Sequence, residues 1–136
     1  MAGVTANQAL AVAAIDRLLE AGVRTFCVCP GGRNAPLVEA LDALPPGRAD
    51  VLSFFDERGA GFFALGRARR DRSPVAVVTT SGTAAAELLP AMVEGCYSSV
   101  PIVAVTADRP RAFRGSGAPQ AIEQVKRHAL RICNVD

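Results

Sequence analysis

Two kinds of apolar stretch alternate along this chain. Over residues 5–19, Ala11, Ile15, Leu18 and Leu19 recur at helical spacing, Thr5 and Gln8 make a capping box, and Gly22 suits the stop. A short β-branched and aromatic run at 24–29 predicts a strand, which Pro30-Gly31-Gly32 ends, and Pro36 suits the first turn of a helix through Leu44. The succession of strand, polar turn and helix then repeats. A strand over 51–55 leads through Asp56-Glu57-Arg58 into a helix over 59–70. A third strand over 74–78 leads through Thr79-Thr80-Ser81-Gly82-Thr83 into a helix reaching about Gly95. A fourth, over 101–105, ends at Thr106-Ala107-Asp108-Arg109-Pro110. Continuous rather than alternating apolar runs predict strands covered on both faces, as in a parallel sheet. The fold class expected is therefore α/β: an open, doubly wound, mostly parallel sheet of about five strands with helices on both faces and right-handed crossovers. Residues 111–124 turn polar and glycine-containing, and 129–135 is the expected fifth strand.

Composition narrows the picture. A length of 136 residues predicts one domain, 1–136, able to bury a core without disulfides or metal. Such a sheet ordinarily closes with a further helix and strand, so the domain reads as minimal or as cut short at its C-terminal end. Half the residues are hydrophobic and 21% are charged, which describes a globular protein rather than a disordered one. The net charge of +2 gives no argument for nucleic acid, and no apolar run is long enough for a membrane span. Residues 1–8 lack the features of a signal peptide, so the cytoplasm is the expected location. Cys27, Cys29, Cys96 and Cys133 form no C-x-x-C pair and His128 is the single histidine, so no metal site is expected. Cys27 and Cys29 read as small apolar residues of one buried strand.

Ligands of an open parallel sheet bind beyond the carboxyl ends of its strands. Here those ends carry Pro30-Gly31-Gly32-Arg33-Asn34, Asp56-Glu57-Arg58, Thr80-Ser81-Gly82-Thr83 and Asp108-Arg109-Pro110, so all four motifs converge on one rim. Gly31-Gly32 and Ser81-Gly82-Thr83 each precede a helix, and they serve either as anion-facing N–H groups or simply as tight turns and caps. No G-x-G-x-x-G or G-x-x-x-x-G-K-[ST] pattern is present. Glu57 is either a partly desolvated functional acid or a solvated helix cap. Arg33 and Arg109 suit a carboxylate-bearing ligand, or salt bridges to Asp56 and Asp108. The arginines 67, 69, 70 and 72 read as surface.

In order and spacing these motifs resemble the N-terminal pyrimidine-binding (Pyr) domain of thiamine-diphosphate enzymes. More narrowly, they resemble the 2-succinyl-5-enolpyruvyl-6-hydroxy-3-cyclohexene-1-carboxylate synthase family of menaquinone biosynthesis. The matching stretches are Gly22-Val23, the loop from Pro30 to Leu37, Asp56-Glu57-Arg58, Phe63-Ala64-Leu65-Gly66, and Pro74-Val75-Ala76-Val77 with Thr80-Ser81-Gly82-Thr83. Thr106-Ala107-Asp108-Arg109-Pro110 and Gly117-Ala118 with Gln120-Ala121-Ile122 complete the set. The resemblance implies that Glu57 is catalytic, hydrogen-bonding the aminopyrimidine and switching its tautomer. It implies cofactor binding by Glu57, Pro30, Gly31, Ser81, Gly82 and Thr83, and substrate binding by Arg33, Asn34, Arg109 and Gln120, with no metal ligand in this chain. The reaction implied is decarboxylation of 2-oxoglutarate and transfer of the succinyl unit to isochorismate, with the carbanion chemistry supplied by the cofactor.

Two features depart from the family pattern. Its loop normally reads Pro-Gly-Ser-Arg-Ser, where this chain has Gly32 and Asn34, and Pro119 stands where the family has an asparagine; these bear on the acceptor more than on the thiamine chemistry. The family's Gly-Asp-Gly…Asn motif is also missing from these residues. Thiamine diphosphate would then need its diphosphate and Mg2+ held by a separate domain or subunit, in a homo- or hetero-oligomer, and the chain alone would be inactive. The alternatives are a non-catalytic module for carboxylate ligands and an inert remnant of the synthase.

Overall fold

The first helix starts where its capping box lies. In a computed structural model, which describes residues 5–113 and 115–124, the Thr5 hydroxyl accepts from the Gln8 N–H and the Gln8 side chain accepts from the Thr5 N–H, opening α1 (Ala6–Glu20). Then follow β1 (Thr25–Val28), α2 (Ala35–Asp42), β2 (Asp50–Ser53), α3 (Glu57–Asp71) and β3 (Val75–Thr79). The remainder comprises α4 (Thr83–Glu87), α5 (Leu89–Tyr97), β4 (Ile102–Thr106) and a 3-10 turn at Arg111–Phe113.

All strand pairings are parallel, in the order β2-β1-β3-β4, with Val28 opposite both Ser53 and Val78 and Thr79 opposite Thr106. The two-residue period of the central strands separates two cores. Phe26, Val28, Ala76 and Val78 face α1 and α2 and pack with Ile15, Leu19 and Leu41. Cys27, Cys29, Val75 and Val77 face the other way, against Ala60, Ala64 and Ala68 of α3 and Leu88. Alanine every fourth residue gives α3 a flat stripe that lies close on the sheet.

Three expectations change. The strand at 51–55 is largely exposed rather than covered on both faces, because among the described residues β2 is an edge of the sheet: Val51 is 44% exposed and the Phe55 side chain stands fully in solvent. β4, the other edge among the described residues, is only half-buried. The single helix expected from Thr83 to Gly95 is two, α4 and α5, divided at Leu88. Pro90 lies in the first turn of α5 and has no N–H to continue the α4 ladder. The described residues hold four strands; the expected fifth, at 129–135, lies outside them. No helix among the described residues is long and apolar enough to cross a membrane.

Candidate functional site

Parallel pairing puts all four strand ends on one edge, and the strand order fixes their sequence along it. Asp56-Glu57 follows β2, Pro30-Gly31 follows β1, Thr80-Ser81-Gly82 follows β3, and Asp108-Arg109 follows β4. The outer strands are three spacings apart, about 14 Å. The chain leaves β1 for α2 on one face of the sheet and leaves β3 for α4 on the other, so these neighbouring strands form the switch point beyond which ligands of such sheets bind.

The loops at this switch point are tightly packed. A Cβ on Gly31 would lie 2.6 Å from the Thr80 Cβ, so only glycine lets these two loops approach so closely. Gly82 has φ +81°, and a Cβ there would lie 2.8 Å from the Gln120 Cα. Between them Ser81 is fully buried, and among the described residues neither its Oγ nor the Thr80 Oγ1 has a hydrogen-bond partner. Asn34 is also fully buried; its Nδ2 donates to the Cys29 carbonyl at 3.0 Å, while its Oδ1 is left without a partner. The Arg109 Nε is the fourth such atom. Its guanidinium lies over the Phe113 ring at 5.6 Å, and its backbone N–H donates to the Asp108 carboxylate at 2.7 Å. Buried polar atoms are nearly always paired, so four orphans along one edge mark a place built for further polar groups.

Glu57 is the first residue of α3 and is half-buried. The helix is capped by its neighbour: the Asp56 carboxylate accepts from the Gly59 N–H at 2.5 Å, which leaves the Glu57 carboxylate unused for capping. Burial first, and then the charge of Glu57, Cys27 and Asp56, push the thiol of Cys29, at the end of β1, up to about 12. Burial likewise pushes the Cys27 thiol up to about 11, with Arg67 opposing it. Both are inert apolar residues, as the sequence predicts.

The other predicted residues divide. Pro30, Arg33, Thr83 and Gln120 are exposed at the rim, and Gln120 has a left-handed backbone with φ 56°. Among the described residues neither Arg33 nor Arg109 forms an ion pair with a carboxylate. The Ser81-Gly82-Thr83 turn is partly committed within the fold. With only five residues, α4 is too short to present a developed helix terminus, and the Gly82 N–H is already occupied by the Gln124 Oε1 at 2.9 Å. Gln124 itself was not singled out by sequence reasoning. It sits in a polar stretch, and no periodicity distinguishes a glutamine that is 4% exposed from its solvated neighbours.

Comparison with known proteins bears on the whole segment. The family described as "Thiamine pyrophosphate enzyme, N-terminal TPP binding domain" matches residues 8–127. The chain is similar to the protein named 2-succinyl-5-enolpyruvyl-6-hydroxy-3-cyclohexene-1-carboxylate synthase from three sources. With that of Bdellovibrio bacteriovorus it is 60% identical over 119 residues, 88% of this chain and 22% of the relative. With that of Halobacterium salinarum it is 51% identical over 118 residues, 87% of this chain and 20% of the relative. With that of Saccharopolyspora erythraea it is 49% identical over 119 residues, 87% of this chain and 21% of the relative. The chain thus spans about a fifth of the length of these curated relatives.

Proposed function

Because the chain belongs to the thiamine pyrophosphate enzyme family, as its N-terminal TPP-binding domain, we propose that it is the pyrimidine-holding part of a decarboxylating transferase. The overall reaction proposed is the one that the resemblance implies: transfer of a succinyl unit from 2-oxoglutarate to isochorismate in menaquinone biosynthesis. The observation that carries this reading is the set of four buried, unpartnered polar atoms along the strand ends, on Asn34, Thr80, Ser81 and Arg109.

The residues fit the cofactor. An aminopyrimidine is a flat ring edged with an amine and ring nitrogens. The loops after β1 and β3 carry buried hydroxyls on Thr80 and Ser81 and an amide oxygen on Asn34 that have no partner among the described residues, and Glu57 follows the adjacent strand β2. Pro30, Gly31, Gly82 and Thr83 shape these loops, Gly31 by its close approach to Thr80. When bound, thiamine diphosphate supplies the electron sink for the carbon that loses carbon dioxide. Glu57 would hold the proton at a ring nitrogen of the bound pyrimidine. Arg33, Arg109 and Gln120 bind and orient the carboxylates of the acceptor. The diphosphate and Mg2+ would be held by another domain or subunit.

Glu57→Gln in the full protein that carries this chain tests the reading. Removing one positioned proton-transfer group should lower carbon dioxide release from 2-oxoglutarate by about 10²–10⁴-fold, with acceptor affinity little changed. Unaltered turnover would end the catalytic assignment. Acceptor binding without turnover in the unaltered protein would establish the carboxylate-binding module instead.

A further inference from the structure

β3 and β4 stay paired to their ends, where the Ala107 N–H donates to the Thr79 carbonyl at 3.0 Å, and then part. Gly82 turns into α4 while Ala107 leads on to Arg109. Across the gap lies the side chain of Gln124. Its Oε1 accepts from the Gly82 N–H at 2.9 Å, and its Nε2 donates to the Ala107 carbonyl at 2.9 Å and more distantly to the Thr106 hydroxyl at 3.4 Å. The amide has one workable orientation, because an N–H on one side needs an acceptor and a carbonyl on the other needs a donor. It therefore substitutes for a peptide group and adds one rung to the ladder beyond the point where the strands separate. The backbone of Gln120 presses on Gly82 from the same segment, close enough that a Cβ on Gly82 would meet it at 2.8 Å.

We infer that Gln124 is a positioning residue that sets the spacing between two parts of the site. One is the Ser81-Gly82 loop, on the cofactor side; the other is the Ala107-to-Arg109 loop, on the acceptor side. Ser81 is one residue from the Oε1 contact and Arg109 is two residues from the Nε2 contact, so movement at Gln124 reaches both groups through short stretches of backbone. Bond formation between a cofactor-borne fragment and an acceptor depends on that spacing, since a displacement near 1 Å is enough to slow such a reaction about a hundredfold. This assignment rests on the function proposed above and names the residue that holds its two halves in register.

The two ends of the amide can be cut separately in the full protein. Gln124→Glu keeps an oxygen for Gly82 and loses the donor for Ala107; Gln124→Met, of similar volume, loses both. Hydrogen exchange over residues 80–85 should be accelerated about tenfold by Gln124→Met, the equivalent of one hydrogen bond, and stay within about twofold in Gln124→Glu. Thiamine diphosphate affinity should follow the same division, whereas KM for the acceptor should rise about tenfold or more in both variants. A merely structural glutamine would move cofactor affinity, acceptor KM and melting temperature together in either variant, and that outcome would overturn the inference. So would unchanged exchange in Gln124→Met. If Gln124→Met fails to fold, Gln124→Glu decides alone: slow exchange at 80–85 with a raised acceptor KM supports the assignment, and an unmoved KM refutes it. Should the unaltered protein bind no thiamine diphosphate, the proposed function falls, while the exchange measurements still decide whether Gln124 holds the loop.

Discussion

At the residue scale, the two thiols on the α3 side of the sheet tie stability to alkaline pH. An ordinary thiol titrates near 9.0, whereas burial raises Cys27 to about 11 and Cys29 to about 12. The fold thus holds these protons after an unfolded chain has lost them. Their contribution is whole below pH 9 and is lost as pH rises from about 9 toward 11 and 12. Urea midpoints measured between pH 8 and 11 should fall, and the fall should shrink in Cys27→Ala; a slope unaffected by that substitution would contradict the assignment. The two adjoining glycines of the β1 loop differ just as sharply. Gly31→Ala puts a methyl 2.6 Å from the Thr80 Cβ, which cannot rotate away, and should cost about 1–3 kcal/mol, read from a denaturation midpoint. At Gly32 nothing lies within 4 Å, so Gly32→Ser, which writes the family's serine into the loop, should change stability by less than about 0.5 kcal/mol.

At the scale of elements, the small face of α3 explains how the helix lies so near the central strands. Ala64 is fully buried between Cys27, Val77 and its own helix, so Ala64→Leu should destabilise by about 1–3 kcal/mol or force α3 outward, measurable as a lower melting temperature. This part of the fold was legible in the chain because local and tertiary preferences agree. The capping box of Thr5 and Gln8 starts α1, Pro30-Gly31 ends the run of β1, and the aliphatic residues of β3 mark a strand buried on both faces. What was not legible depends on neighbours. Hydrophobicity alone does not tell Val51, at an edge, from Val77, at the centre, because exposure follows strand order rather than residue type. Pro90 divides a helix whose composition is helical throughout. The rim motifs were legible for a topological reason, since parallel strands send all their ends one way. Gln124 was hidden because its partners, Gly82 and Ala107, lie 42 and 17 positions away in the chain.

At the scale of the molecule, a polar edge with unmet hydrogen bonds adjoins an apolar flank. Phe62 and Phe63 of α3 stand nearly half exposed, Phe55 before it is fully so, and Val93 and Tyr97 of α5 continue the exposed apolar surface. Single exposed apolar residues are ordinary, but aromatic groups gathered on packed neighbouring helices are characteristic of surfaces that meet another protein. The proposed function gives such a surface a use, because a segment holding the pyrimidine end of the cofactor would have to meet the domain or subunit that holds its diphosphate end. Both facts lead to one expectation for the full protein in thiamine diphosphate and Mg2+: native mass spectrometry should find an oligomer carrying one cofactor per pyrimidine-holding domain. Phe62→Asp places a charge on the flank without touching the rim, so it should shift the population toward smaller species, with cofactor lost in step as the diphosphate-holding partner departs. Cofactor retained by a monomer would show that the site is completed within one chain. A cofactor-free oligomer would separate association from the rim altogether, leaving the orphaned atoms of Asn34, Thr80, Ser81 and Arg109 to a different ligand.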